Sequence, residues 1–168
     1  MLGAVGATGT TAANRIAKDA DLIIGIGTRY SDFTTASRTA FQNPNVKFIN
    51  INITSFDALK HGSSIPVVAD ARESLKELLP LLSGYKISEK FKSEIKSEVS
   101  SWNQTVDKAF ENRRLDKPSQ SEIIGAVNKN ISDRDVLICA AGSLPGDLHK
   151  LWRTRDPLGS PVEYAFSC

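Results

Sequence analysis

One stretch carries the residues best suited to hold an anion: "AAGSLPGD", residues 140–147. The apolar run 136–140 before it reads as a buried strand, and it breaks at Gly142. Glycine there permits backbone conformations closed to other residues. The N–H groups of Ser143 and Leu144 would then project from the edge of a sheet, where backbone amides can hold a negative group. Pro145 suits the first turn of a helix, because its missing N–H costs no hydrogen bond there. An ordinary strand-to-helix turn has the same spacing, so the pattern alone leaves both readings open.

Three other stretches invite the same question. "GAVGATG", residues 3–9, spaces glycines at 3, 6 and 9, but it departs from G-x-G-x-x-G and no strand precedes it. A tight turn packed on a helix accounts for it. "GIGTR", residues 25–29, places G-x-G where a strand ends, the edge at which open α/β sheets bind ligands. Arg29 either pairs with a phosphate or carboxylate or ties the loop together with Asp32. An acidic residue near position 50 would favour a ribose; Asn50 and Asn52 stand there instead, which weakens a nicotinamide reading. In "LWRTRDP", residues 151–157, Arg153 and Arg155 either bind an anion or form salt bridges in a solvated loop.

Other chemistries find little support. His61 and His149 are the only histidines, and neither has a cysteine or carboxylate at metal-ligand spacing. His61 reads as a residue at a helix C-terminus and His149 as a surface or interface residue. No G-x-S-x-G nucleophile turn is present. Cys139 and Cys168 give no disulfide framework, and a reducing, cytoplasmic setting is expected. With 21 basic and 19 acidic residues the net charge is +2, which argues against a nucleic-acid or membrane partner. No apolar run approaches the length of a membrane span.

The elements that would position these residues alternate. Thr10 or Thr11 caps a helix to about Ala20. The run 22–26 is a strand of the kind buried on both faces in parallel sheets. A short helix is expected near 35–41, and the strictly alternating "VKFININI", 46–53, is a strand. A helical turn in "SFDALKHG" stops at Gly62; a strand at 65–70 follows, then a helix striped by Leu75, Leu78, Leu79 and Leu82. Strand, helix, strand, helix marks an α/β fold with a parallel, Rossmann-like sheet flanked by helices over residues 1–84. Residues 85–117 form a connector: Phe91, Ile95, Val99, Trp102, Val106 and Phe110 recur every three or four positions, the stripe of one long helix, and a linker follows. Ser119 and Glu122 have capping-box spacing and open a second α/β unit, 118–168, expected to be incomplete. The chain enters a glycine turn directly after Met1-Leu2 and closes on the apolar "VEYAFSC", so a piece of a longer polypeptide is expected.

These words resemble thiamine diphosphate-dependent enzymes, acetohydroxyacid synthases among them. "GTTAANRIAKDADLIIGIGTRYSDF" and "KFININI…IPVVADARESL" resemble the central domain, and "DVLICAAGSLPGDLHKLWRTRDP" the opening of the cofactor domain. Within that superfamily the likeness implies a carbon–carbon hydrolase acting on a small cyclic dione. It also implies thiamine diphosphate and Mg²⁺ as cofactors, a homo-oligomer, and contact of Ala141, Gly142, Ser143 and Leu144 with the diphosphate. The family's activating glutamate and its G-D-G…N magnesium motif match nothing in these residues, so no catalytic or metal residue is assigned and the chain alone is expected to be inactive. The rival readings are a stand-alone FAD- or ADP-binding Rossmann-like module and a purely structural or oligomer-forming piece.

Overall fold

The computed structural model describes residues 1–111, 116–140 and 142–155, together with the backbone of 162–163. Thr10 caps helix α1 (Thr11–Lys18), its hydroxyl accepting from the Ala13 N–H. Strand β1 (Leu22–Ile26) follows, then α2 (Asp32–Thr35), β2 (Lys47–Asn52), α3 (Ser55–Ala58), β3 (Ile65–Val68) and α4 (Ala71–Leu81). The three strands form one parallel sheet in the order β1-β2-β3, flanked by helices, with Leu22 beside Lys47 and Ile49 beside Ile65. Parallel neighbours need crossovers, and the short helices between the strands supply them.

The two sides of the sheet differ. Phe48, Asn50 and Asn52 alternate onto one face and are buried. Tyr30 folds back over this face and donates from its hydroxyl to Asn50 Oδ1 at 2.6 Å. Its phenol crosses β1 at Gly25, the register partner of Asn50. A Cβ at Gly25 would overlap Tyr30 Oη, so only glycine admits this crossing. Burial pushes the Tyr30 hydroxyl up to about 12, and it therefore stays a donor. Beside it, His61 stacks on Tyr30 with ring centroids 5.4 Å apart and meets Phe41 and Phe48 edge-on. On the other face, Leu22, Ile24, Ile26 and Ile65 are exposed.

Several local outcomes depart from the sequence reading. The helix expected at 35–41 is instead α2 at 32–35, capped by Ser31, and Ala36, Ser37 and Arg38 follow in left-handed backbone with φ of 47°, 53° and 69°. Buried Thr35 holds that turn: its Oγ1 accepts from the Arg38 N–H and its carbonyl from the Ala40 N–H. His61 lies beyond the end of α3 with φ of 55°, inside the aromatic cluster. The leucine stripe of α4 buries no residue.

Helix α5 (Glu89–Glu111) is the long helix expected from the 91–110 stripe, and α6 (Gln120–Asn130) opens with the full Ser119–Glu122 capping box. Strand β4 (Ile138–Cys139), helix α7 (Ser143–Leu151) and strand β5 (Val162–Glu163) complete the order, with β4 and β5 parallel. The run 136–140, expected to be buried, is exposed at Val136 and Ile138 and only two of its residues pair. α1 packs on α5, α5 on α6 and α6 on α7. Ala12, Ala13, Val106, Ile124 and Leu148 are buried apolar residues of that succession.

Gly25→Ala should destabilise the fold by about 1–3 kcal/mol by displacing Tyr30. The double variant with Tyr30→Phe should lose less than the sum of the two singles, measured as a double-mutant cycle in urea. Burial, and then the Arg38 charge, hold His61 below its usual range of about 6.5. Because its folded value is depressed, its contribution to stability is complete above about pH 6.5 and is lost as the pH falls below that toward the folded value. His61→Asn, which tolerates left-handed backbone, should be less stable at pH 7.5 but should lack this acid-side decline in urea titrations at pH 5–7.5.

Candidate functional site

The structure assembles the candidate loop at the start of α7. Gly142 is the cap residue, with φ of 129° and ψ of −168°, a region essentially reserved for glycine. It makes no side-chain cap to the helix, and the first turn of α7 holds no acidic residue. The first turn of this nine-residue helix thus presents backbone N–H groups and the positive end of the dipole without a side chain competing for them. Nothing approaches within 4 Å of where a Cβ on Gly142 would lie, so the surroundings are open. Ser143 and Leu144 are exposed, whereas Pro145 and Leu148 are buried and fix the helix to its neighbours. Ala141, the other residue of the expected contact set, lies outside the described residues.

Other side chains hold this helix in place. Gln120, at the start of α6, donates from Nε2 to Ser143 Oγ at 3.3 Å. Thr8 Oγ1 lies 3.1 Å from His149 Nδ1, which joins the glycine turn of the first unit to the middle of α7. The first of these links rests on residues 23 positions apart and the second on residues 141 apart. Sequence reasoning had no signal for either.

The other stretches make these contacts within the fold. In the 3–9 turn, Gly6 exchanges backbone hydrogen bonds with the Asn14 amide and Ala7 donates to the Phe33 carbonyl. That is a closed turn packed on α1. The Arg29 carbonyl accepts from Lys60 Nζ at 3.4 Å. Lys60 pairs with Asp57 Oδ1 at 2.9 Å, and Thr54 donates to Oδ2 at 2.9 Å. Hydrogen bonding from Lys60 and Thr54 holds the Asp57 carboxyl below the usual carboxylate range. Arg153 pairs with Asp107 at 2.8 Å and Arg155 with Asp133 at 3.5 Å, so both arginines are engaged in salt bridges. Among the described residues no group of three or more His, Cys, Asp or Glu could hold a metal ion. None of the described helices is long and apolar enough to cross a membrane.

Residues 1–78 match the family model of the thiamine pyrophosphate enzyme central domain. The glycine turn, the three parallel strands and most of α4 lie within the matched stretch, and α5 begins beyond it. Over 99% of its length the chain is 39% identical to a 3D-(3,5/4)-trihydroxycyclohexane-1,2-dione hydrolase of Halalkalibacterium halodurans. It is 38% identical to the protein of the same name from Listeria monocytogenes and 37% identical to that from Clostridium tetani, again over 99% of the chain. The chain spans about 30% of the length of these relatives.

The α7 cap supplies a direct check on backbone demand. Gly142→Ala should cost about 1–3 kcal/mol in urea unfolding, because the penalty is conformational rather than steric. Gly146→Ala, inside the same helix and with only Thr8 Cγ2 at 3.5 Å from its new Cβ, should instead stabilise by about 0.5–1 kcal/mol.

Proposed function

We propose that this chain is the central domain, the connector and the start of the cofactor domain of a thiamine diphosphate-dependent hydrolase. Its substrate would be 3D-(3,5/4)-trihydroxycyclohexane-1,2-dione, whose ring it opens to 5-deoxyglucuronic acid in myo-inositol catabolism. The observation that carries this reading is the 37–39% identity to dione hydrolases along 99% of the chain, through α7 and the loop before it.

Thiamine diphosphate, when bound, supplies a carbanion that adds to a ketone carbonyl and accepts electrons as the adjacent carbon–carbon bond is cleaved. The residues here serve its anionic end. Ala141, Gly142, Ser143 and Leu144 form the loop that holds the diphosphate, the last two through backbone N–H groups at the start of α7. The fit rests on the left-handed cap at Gly142, the uncapped first turn and the open space around it. Gln120 orients Ser143 from the side. Mg²⁺ would accompany the diphosphate, and no residue of this chain is assigned to hold it. The central domain acts as scaffold, and a cytoplasmic homo-oligomer is the form we assign to the working enzyme.

The test is hydrolysis of the dione with thiamine diphosphate and Mg²⁺. The full-length gene product should turn over, lose activity on dialysis of the cofactor and regain it on re-addition. Residues 1–168 alone should show no turnover. Turnover by the isolated chain, or a full-length product that is inert while ADP or FAD raises its melting temperature, overturns the proposal.

A further inference from the structure

The anion-holding loop is only as well placed as the helix that follows it. α7 spans nine residues, about 13 Å, and behaves as one rigid piece. Its C-terminal end runs into Trp152, whose N–H bonds to the Leu148 carbonyl, and then Arg153. Arg153 joins three helices. Its Nη2 donates to the Asn103 carbonyl at 2.9 Å, and Nη1 pairs with Asp107 Oδ1 at 2.8 Å, both on α5. The guanidinium lies 5.7 Å from the centre of the Phe110 ring, one α5 turn further on. The Arg153 carbonyl accepts from Asn128 Nδ2 at 3.1 Å, and Asn128 is a buried residue of α6. Arg155 donates to the Asn128 carbonyl on the same side. The planar fork of arginine can meet a carbonyl and a carboxylate at once, which a lysine cannot do.

We propose that Arg153 is a positioning residue for the diphosphate loop: it locks α7 onto α5 and α6 and so fixes where the N–H groups of Ser143 and Leu144 stand. This rests on the reading of that loop as the diphosphate site. Arg153 does not touch the cofactor; it acts through α7. Loosening it lets the helix pivot about Gln120 and His149, and the amides then meet the diphosphate less often in the productive geometry.

Arg153→Ala, Arg153→Lys and Asp107→Asn in the full-length gene product test this. Three readouts are needed: Kd for thiamine diphosphate by fluorescence titration, kcat at saturating cofactor, and amide exchange along residues 143–151. Arg153→Ala should raise Kd about tenfold. It should also speed exchange within 143–151 and leave kcat at saturation within about twofold, with Arg153→Lys falling between it and the parent. Unchanged Kd and exchange overturn the proposal, as does a kcat that falls with Kd unmoved. If Arg153→Ala fails to fold, Asp107→Asn decides, since Asp107 is exposed and its loss removes a single ion pair. A two- to threefold rise in Kd is expected there, on the order of one exposed charge contact, and a flat Kd refutes the clamp. Should the parent protein not bind thiamine diphosphate at all, the functional reading fails. The exchange arm still judges Arg153: faster exchange confined to 143–151 retains the clamp, and unaltered exchange removes it.

Discussion

A 23-residue helix cannot bend far without losing backbone hydrogen bonds, and the arrangement around it depends on that stiffness. α5 extends about 35 Å. In its middle Glu98 meets Arg15 of α1 at 3.2 Å, and further along Asn103 and Asp107 take up Arg153. Val106, on the same stretch, is buried. The helix is polar on most of its surface, so its stability comes from the narrow stripe laid on α1 and α6 rather than from a surrounding core. That contact line, with the Thr8–His149 contact, relates the first unit to α7.

Much of this was legible in the residues. The apolar run 22–26 and the alternation through Phe48, Asn50 and Asn52 give two of the three parallel strands, because period and composition report local geometry directly. Thr10 as a cap and the Ser119–Glu122 box were readable for the same reason: each is settled within four residues. What escaped was set by partners distant in sequence. Nothing in Thr-Ala-Ser-Arg announces left-handed backbone, and His61 looks like a helix end until Tyr30, Phe41 and Phe48 are brought around it. The run 136–140 is apolar enough for a core, yet Ile138 is two-thirds exposed. For the site, Gly142 could be read from type and position, whereas the holds of Gln120, Thr8 and Arg153 span 23, 141 and 50 residues.

The sheet shows how unevenly a hydrophobic sequence can be buried. On the Tyr30 side, two asparagines sit in the interior because each side-chain amide finds partners: Asn50 with Tyr30 and the Lys60 carbonyl, Asn52 with the Thr28 carbonyl. Satisfied amides of this kind give the packing a single register that aliphatic residues would leave looser. On the opposite side, isoleucines and a leucine meet water. The polar face carries the aromatic cluster, which rests on the hydrogen bonds beneath it, while on the other face Ile51 is buried.

The turn after α2 has a different significance. Three adjacent residues with side chains occupy the left-handed well there, each at a penalty of roughly 1–2 kcal/mol. Thr35 imposes this shape through its buried hydroxyl and carbonyl contacts. A segment kept under such tension acts like a sprung latch. Opening this turn releases that strain, so it costs less than opening an unstrained turn with the same contacts.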